Sequence, residues 1–242
     1  FKRWMNISFF AKEIFNKITI AYPQNLETKN FLKKIELKKI EFIGNLKFAE
    51  NSDVSLSKFS SKLKNQLKNK KIWVASSTHK NEELFCAKAH LELKKKYKNL
   101  LTIIIPRHIH RVDEIKEELS SLNLNVTTHK SKNKNLIDID IYIVDTFGET
   151  GKFHNIACSV FLGGSIINRG GQNPLEAARF GSKILHGANI DNFKDVYKLL
   201  KYLKISKQVK SPEQLASSII FKKNKNLGLK IKDIGKKILN KT

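Results

Sequence analysis

Residues 100–105, Leu-Leu-Thr-Ile-Ile-Ile, form an almost wholly apolar run closed by Pro106. The run lacks the apolar–polar alternation of a half-exposed strand, so it predicts a strand buried on both faces, as in a parallel sheet covered by helices. Pro106 sets the boundary, because a proline has no N–H to give to a sheet ladder. The surrounding chain supplies the rest of such a sheet. Strands are predicted at 71–75, 139–144, 159–162 and 183–185. Helical patterns lie between and after them at 81–97, 111–122, 149–157, 174–180, from Asp191 to about 203, and from the opening Ser211-Pro212-Glu213. Strand–helix alternation implies right-handed crossovers and helices on both faces, with ligands bound outside the carboxyl ends of the strands.

An earlier α/β pattern precedes this series: a helix over 1–17, a strand at 18–21, a helix over 24–34 and a strand at 39–44. It lacks a beginning, so residues 1–46 are read as the end of an N-terminal lobe, and the chain as a fragment of something longer. Polar residues 51–57 carry no periodicity and mark a linker, taken as 47–57. The second domain is then 58–222. Residues 223–242 form a basic amphipathic helix, with Ile231, Ile234 and Ile238 at helical spacing. With much of the first lobe absent, the apolar face of that helix is expected to be poorly covered and to favour self-association.

Lysine and arginine total 46 against 22 acidic residues, a formal charge of +24. Such a chain favours anionic partners. Only Arg3, Arg107, Arg111, Arg169 and Arg179 are arginines. The lysines are spread over many helices and are not interleaved with stacking aromatics, which argues against a nucleic-acid-binding module. No run approaches the length of a membrane span, so any anchor is expected upstream. Cys86 and Cys158 lack metal-ligand spacing and fit small buried hydrophobes in a reducing compartment. Phe9, Phe10 and Phe15 with Lys12 and Lys17 form either an interfacial face or a face packed on its own domain.

Four loops fall at the carboxyl ends of the predicted strands. Ser76-Ser77-Thr78-His79 offers hydroxyl and N–H groups, or is a plain turn. Pro106-Arg107-His108 places an arginine and a histidine after a buried strand, where the guanidinium can clamp a phosphate. His108 and His110 have no third ligand of matching spacing, so no metal is expected. In Asp145-Thr146-Phe147-Gly148-Glu149, backbone N–H groups face a base or phosphate, or Glu149 merely complements a helix dipole. The last loop runs from Gly163-Gly164-Ser165 through Arg169-Gly170-Gly171-Gln172 to Asn173-Pro174-Leu175-Glu176. Its glycines and helix start suit an anion, while Asn173, Pro174 and Glu176 also satisfy the pattern of a capping box. Together the loops point to a nucleotide site.

These motifs, in this order and spacing, with Trp73-Val74-Ala75, Glu82-Glu83, Gly44-Asn45-Leu46-Lys47-Phe48 and Phe1-Lys2-Arg3-Trp4, resemble the 3-deoxy-D-manno-octulosonic acid (Kdo) transferases of lipopolysaccharide synthesis. The resemblance extends to about residue 204. It implies a two-lobed GT-B glycosyltransferase: a Rossmann-like parallel sheet with helices on both faces as C-terminal lobe, plus the end of an acceptor-side N-terminal lobe. It implies the donor CMP-Kdo, held by Pro106, Arg107, His108, Phe147, Gly148, Glu149, Asn173, Pro174, Leu175 and Glu176. Further phosphate or sugar contacts would come from Ser77, Thr78, His79, Gly164, Ser165, Arg169 and Gly171.

Lys47 matches a family lysine that would stabilise charge on the departing phosphate; read alone, it is one solvated lysine among many. The family's general base lies in a segment that would precede Phe1. The implied acceptor is a lipid A precursor at the cytoplasmic face of the bacterial inner membrane, bound peripherally, with no cofactor, metal or nucleic acid. The oligomeric state is left open. Another nucleotide-sugar transferase or epimerase of the same fold is the nearest alternative, and nucleotide preference separates them.

Overall fold

The computed structural model describes residues 2–48, 59–131 and 135–241. Its sheet contains β1 (Lys71–Thr78), β2 (Leu100–Pro106), β3 (Val126–Thr128), β4 (Ile141–Ile143), β5 (Ser159–Leu162), β6 (Lys183–His186) and β7 (Ser206–Gln208). All are parallel, in the order β3-β4-β2-β1-β5-β6-β7. Every residue of β2 is buried, as its unbroken apolar run requires.

The helices are α1 (Lys2–Met5), α2 (Ser8–Phe15), α3 (Leu26–Lys34), α4 (Ser61–Lys68), α5 (Glu82–Lys94) and α6 (Val112–Ser120). They continue as α7 (Thr150–Ile156), α8 (Leu175–Arg179), α9 (Lys194–Tyr202), α10 (Pro212–Ser218) and α11 (Lys225–Leu239). Trp73, Ile104, Ile141, Phe161 and Leu185 of the sheet share a core with Cys86 and Leu93 of α5, Ile115 and Leu119 of α6, and Leu215 of α10. Ser211 caps α10, accepting the Gln214 N–H, with Pro212 in the first turn.

The chain divides into two units, residues 1–52 with 230–242, and residues 53–229. The sheet lies in the larger unit. In the smaller, Phe31, Leu32, Ile35 and Leu37 form a core of their own, against which Phe15, Ala21 and Ile40 pack. The linker expected at 47–57 falls mostly outside the described residues.

Several expectations are corrected. The strands predicted at 18–21 and 39–44 reduce to one parallel bridge, Ala21 with Ile40. The helix over 1–17 is broken at Asn6 and Ile7 into α1 and α2. Phe15 packs edge-on against Trp4 and Phe31, whereas Phe9 is 84% and Phe10 54% exposed. The segment expected to be a loop at 76–79 is strand as far as Thr78, with a register shift between Ser76 and Thr78. Strands β3 and β7 were not predicted. Nor is the apolar face of α11 left open: Ile231 is buried, and Ile234 and Ile238 are half-buried, Ile238 lying against Gly44 within the smaller unit.

Candidate functional site

Strand β1 is where the sheet order reverses, since the chain adds β2 on one side and β5 on the other. A crevice opens at such a switch point, beyond the carboxyl ends of the strands. Three backbone hydrogen bonds bring the loops together there: Arg107 N–H to Thr78 O at 2.9 Å, Gly163 N–H to Ser76 O at 2.9 Å, and Gly171 N–H to Gly164 O at 2.9 Å. Gly163 is required by this approach, because a Cβ would stand 2.3 Å from Ser77 O and 2.6 Å from Thr78 Cα.

Around the crevice, the rings of His79 and His108 meet edge to face at 5.9 Å, and those of His108 and His110 lie 5.6 Å apart. Arg169, Gln172 and His79 all border Gly164. Burial lowers the His79 pKa against the pull of Glu82, and the charges of His108 and Arg169 lower it further. Arg107 and Arg169 are both exposed at this edge. The edge is therefore cationic, a suitable setting for a phosphate.

The fourth loop is organised by a residue to which the sequence assigned no role. Glu82, fully buried at the start of α5, accepts the N–H groups of Gly164 (2.7 Å), Ser165 (3.1 Å), Ile166 (2.9 Å) and His79 (3.0 Å). Two of the expected phosphate donors, the N–H groups of Gly164 and Ser165, are thus taken by the protein's own carboxylate. The Ser165 hydroxyl is also occupied, donating to Leu162 O and accepting from Gly187 N–H. Thr78 is fully buried. These three positions shape the loop and do not present a contact surface, a correction to the expected set. Gly171 is likewise buried, its N–H committed to Gly164 O, whereas Ser77 and His79 are half-buried and Arg169 is exposed.

The 147–149 loop follows β4 and leads into α7. Phe147 is 77% exposed, and a phenyl ring so placed offers a face for stacking. Glu149 is held from three sides. Its carboxylate accepts the Thr146 hydroxyl at 2.6 Å, pairs with His129 Nε2 at 2.8 Å, and receives Lys152 Nζ. Burial opposes its ionisation, but the hydrogen bonds of Lys152 and Thr146 and the charges of His129 and Lys152 outweigh this and hold its pKa below the ordinary 4.5. His129 Nδ1 in turn meets Tyr142 OH at 2.7 Å. Glu149 therefore fixes its loop from within. Sequence reasoning missed His129, which directly follows the short, half-buried β3 and carries no chemical signature.

The capping box expected at Asn173, Pro174 and Glu176 is corrected: α8 begins at Leu175 with Pro174 as its N-cap and no side-chain cap, and Asn173 instead accepts the Leu175 N–H, two residues on, at 3.0 Å. Glu176 is half-buried beside His154 of α7, with Nδ1 and Oε2 3.7 Å apart. His154 is buried and neither ring nitrogen has a hydrogen-bond partner; burial, aided by the charge of Lys223, pushes its pKa down to about 3. Lys47 lies in a 3-10 turn of the smaller unit, its N–H donating to Asn45 Oδ1 at 3.0 Å. Among the described residues no three His, Cys, Asp or Glu side chains are grouped as a metal site, and no helix is long and apolar enough to cross a membrane.

This seven-stranded parallel sheet, with its loops gathered at one edge, defines an α/β lobe of the GT-B glycosyltransferase class. The C-terminal CMP-Kdo-binding domain of WaaA from Acinetobacter baumannii superposes with a TM-score of 0.61 at 21% identity, over 74% of this chain and 94% of that one. The glycotransferase of kitacinnamycin matches at a TM-score of 0.50 and 8% identity, over 99% of this chain and 64% of that one. Within the class, the sequence is that of a relative of the 3-deoxy-D-manno-octulosonic acid transferases. It is 32% identical to that of Rickettsia felis over 96% of this chain and 50% of the relative, and 29% identical to that of Haemophilus influenzae over 81% and 44%. The chain thus spans about half the length of the curated relatives it matches. No protein-family profile matches it.

Proposed function

We propose that the chain supplies the donor-binding lobe of a Kdo transferase, taking CMP-Kdo and serving transfer of Kdo to a lipid A precursor. The observation that supports this reading is that the loops carrying Arg107, Phe147 and Gly163–Glu176 all follow strands of one parallel sheet and so leave it at its carboxyl edge, in a fold that superposes on a domain named for CMP-Kdo binding. In this reading Arg107 and His108 receive the phosphate, and Arg169 adds charge. Phe147 and the Gly148 backbone form a wall for the cytosine, and Pro174 and Leu175 set the start of α8 beneath it. Glu176 accepts from ribose hydroxyls.

The chemical step displaces CMP as an acceptor hydroxyl attacks the anomeric carbon of the sugar. Negative charge grows on the departing phosphate, and Lys47 is assigned to stabilise it. The attacking hydroxyl must also lose a proton, which calls for a base; no residue of this chain is given that role. No metal or cofactor enters the reading. The net charge of +24 suits a peripheral protein at an anionic surface such as the cytoplasmic face of the inner membrane.

Calorimetric titration with CMP, UMP and GMP tests the reading. CMP is expected to bind selectively, and Arg107→Ala and Glu176→Ala each to weaken it about tenfold or more, the scale of a charge-assisted hydrogen bond. Equal affinity for all three nucleotides, or indifference to both substitutions, overturns it.

A further inference from the structure

A second constellation adjoins the Arg169–Gln172 loop, at the β6–β7 side of the sheet. Lys194, Lys198 and Lys201 occupy successive turns of α9 and share one face. With Lys207 of β7 they line a pocket of about 510 Å³, whose wall includes His186, Tyr197 and Ser206. No carboxylate lines it, and no ion pair joins any of the four lysines to an acidic group within 4 Å among the described residues. Like charges at this helical spacing are destabilising, and a lysine-rich composition alone explains their number but not their gathering around a cavity.

The buried groups of the pocket distinguish it from a charged surface. Ser206 is buried, and its hydroxyl has no hydrogen-bond partner. His186, also buried, commits Nδ1 to the Gly187 carbonyl at 2.7 Å, which leaves Nε2 of the neutral ring as an acceptor. The His186 and Tyr197 rings lie 4.4 Å apart, and Tyr197 donates to Gln172 O at 3.2 Å, so the aromatic wall is fixed. Ammonium groups and a hydroxyl donor suit a phosphate. An unprotonated imidazole nitrogen suits a ligand hydroxyl, and ring faces suit a short carbon skeleton. The volume falls in the range of small-molecule sites, about 300–1,000 Å³.

We propose that this pocket binds a hydroxylated phosphate ester of the glycerol-phosphate or sugar-phosphate class, at a site adjoining the Arg169–Gln172 loop. The phosphate meets Lys198, Lys201 and Ser206, and a ligand hydroxyl donates to His186 Nε2. The same chemistry is presented by a free ester and by the headgroup of phosphatidylglycerol, which the test separates.

The 242-residue chain carrying Arg107→Ala, to silence the nucleotide loops, is titrated with glycerol 3-phosphate by calorimetry, and its binding to phosphatidylglycerol and phosphatidylcholine vesicles is measured by co-sedimentation. Saturable one-to-one binding is expected. It should weaken about tenfold or more in Lys198→Gln/Lys201→Gln and measurably in Ser206→Ala, but not in the remote pair Lys116→Gln/Lys130→Gln, which lies on α6 and just after β3 at the opposite edge of the sheet. Binding of phosphatidylglycerol vesicles alone, with the same dependence, assigns the ligand as a headgroup and supports the pocket. No binding of either probe, or a loss matched by the remote pair, overturns it. Ser206→Ala removes a hydroxyl without a partner, so its melting curve should match the parent; if it does not, the lysine pair carries the decision.

Discussion

The Glu82 carboxylate accepts the Gly164 N–H at 2.7 Å across 82 positions of sequence, and through the same two oxygens it also holds Ser165, Ile166 and His79. A loop rich in glycine is commonly a cradle for a ligand anion; here an internal anion fills that part and leaves the outer side of the loop for a guest. Glu82→Gln keeps the shape but removes the charge and one of the two acceptor atoms. It should cost about 3 kcal/mol in urea unfolding, the scale of one charge-assisted hydrogen bond plus a buried donor left unpaired. A loss below about 1 kcal/mol would show that the carboxylate does not hold the loop.

Gly163 and Gly148 make opposite demands. Adding a Cβ to Gly163 drives it into the Ser77 and Thr78 backbone, whereas at Gly148 nothing lies within 4 Å and only the φ of +77° resists a side chain. Gly163→Ala should destabilise by about 3 kcal/mol or more, or prevent folding. Gly148→Ala should cost about 1 kcal/mol, the ordinary penalty of left-handed backbone. Thermal melts of the two variants check the contrast, and equal melting temperatures would refute it.

What the sequence disclosed and what it withheld divide along physical lines. The 100–106 run declared a doubly buried strand because nothing else tolerates unbroken apolar residues ending at proline. Three-residue strands such as Val126–Thr128 and Ser206–Gln208 are too short to establish a period, and register with β4 and β6 creates them. The loop positions followed from strand order alone. The partners of the loops did not: Glu82 reads locally as a first-turn acid suited to the helix dipole, and only the fold puts Gly164 beside it. His129 gave no signal either, since its meeting with Glu149 depends on β3 pairing with β4.

Acid should weaken the sheet at its amino end. Asp140, buried, pairs with Lys94 at 2.6 Å and His90 at 3.4 Å and accepts the Asn125 N–H at 3.0 Å. Burial opposes its ionisation, but these partners prevail and hold its pKa well below the ordinary 3.8. A carboxyl depressed in the folded state contributes fully above its unfolded pKa, and the contribution is lost as pH falls through the folded value. The urea midpoint should therefore decline below about pH 4. Asp140→Asn should flatten that decline while costing about 3 kcal/mol at pH 7, because Lys94 and His90 lose their partner. An unchanged acid limb in the variant would acquit Asp140.

His154 stands behind Glu176 as a neutral wall at all but strongly acidic pH, its pKa lying near 3. If Glu176 reads the ribose, CMP should bind more tightly than its 2′-deoxy form, and Glu176→Gln should erase about tenfold of that preference. The preference should stay level from about pH 5 to pH 8 as far as His154 is concerned. Calorimetry with both nucleotides measures it, and a preference untouched by Glu176→Gln would remove Glu176 from ribose recognition.

The span from Glu82 to Gly164 also orders events in time. β1 pairs first in sequence with β2, the next strand, but its other edge waits for β5, and the Glu82 carboxylate waits for donors that follow β5. A growing chain leaving the ribosome can close the β1–β2 half early, yet must keep that acid hydrated until residue 166 has emerged. The switch-point crevice therefore cannot mature until after β5 has been made, and a stalled chain ending before β5 would present β1 as an unpaired edge open to aggregation.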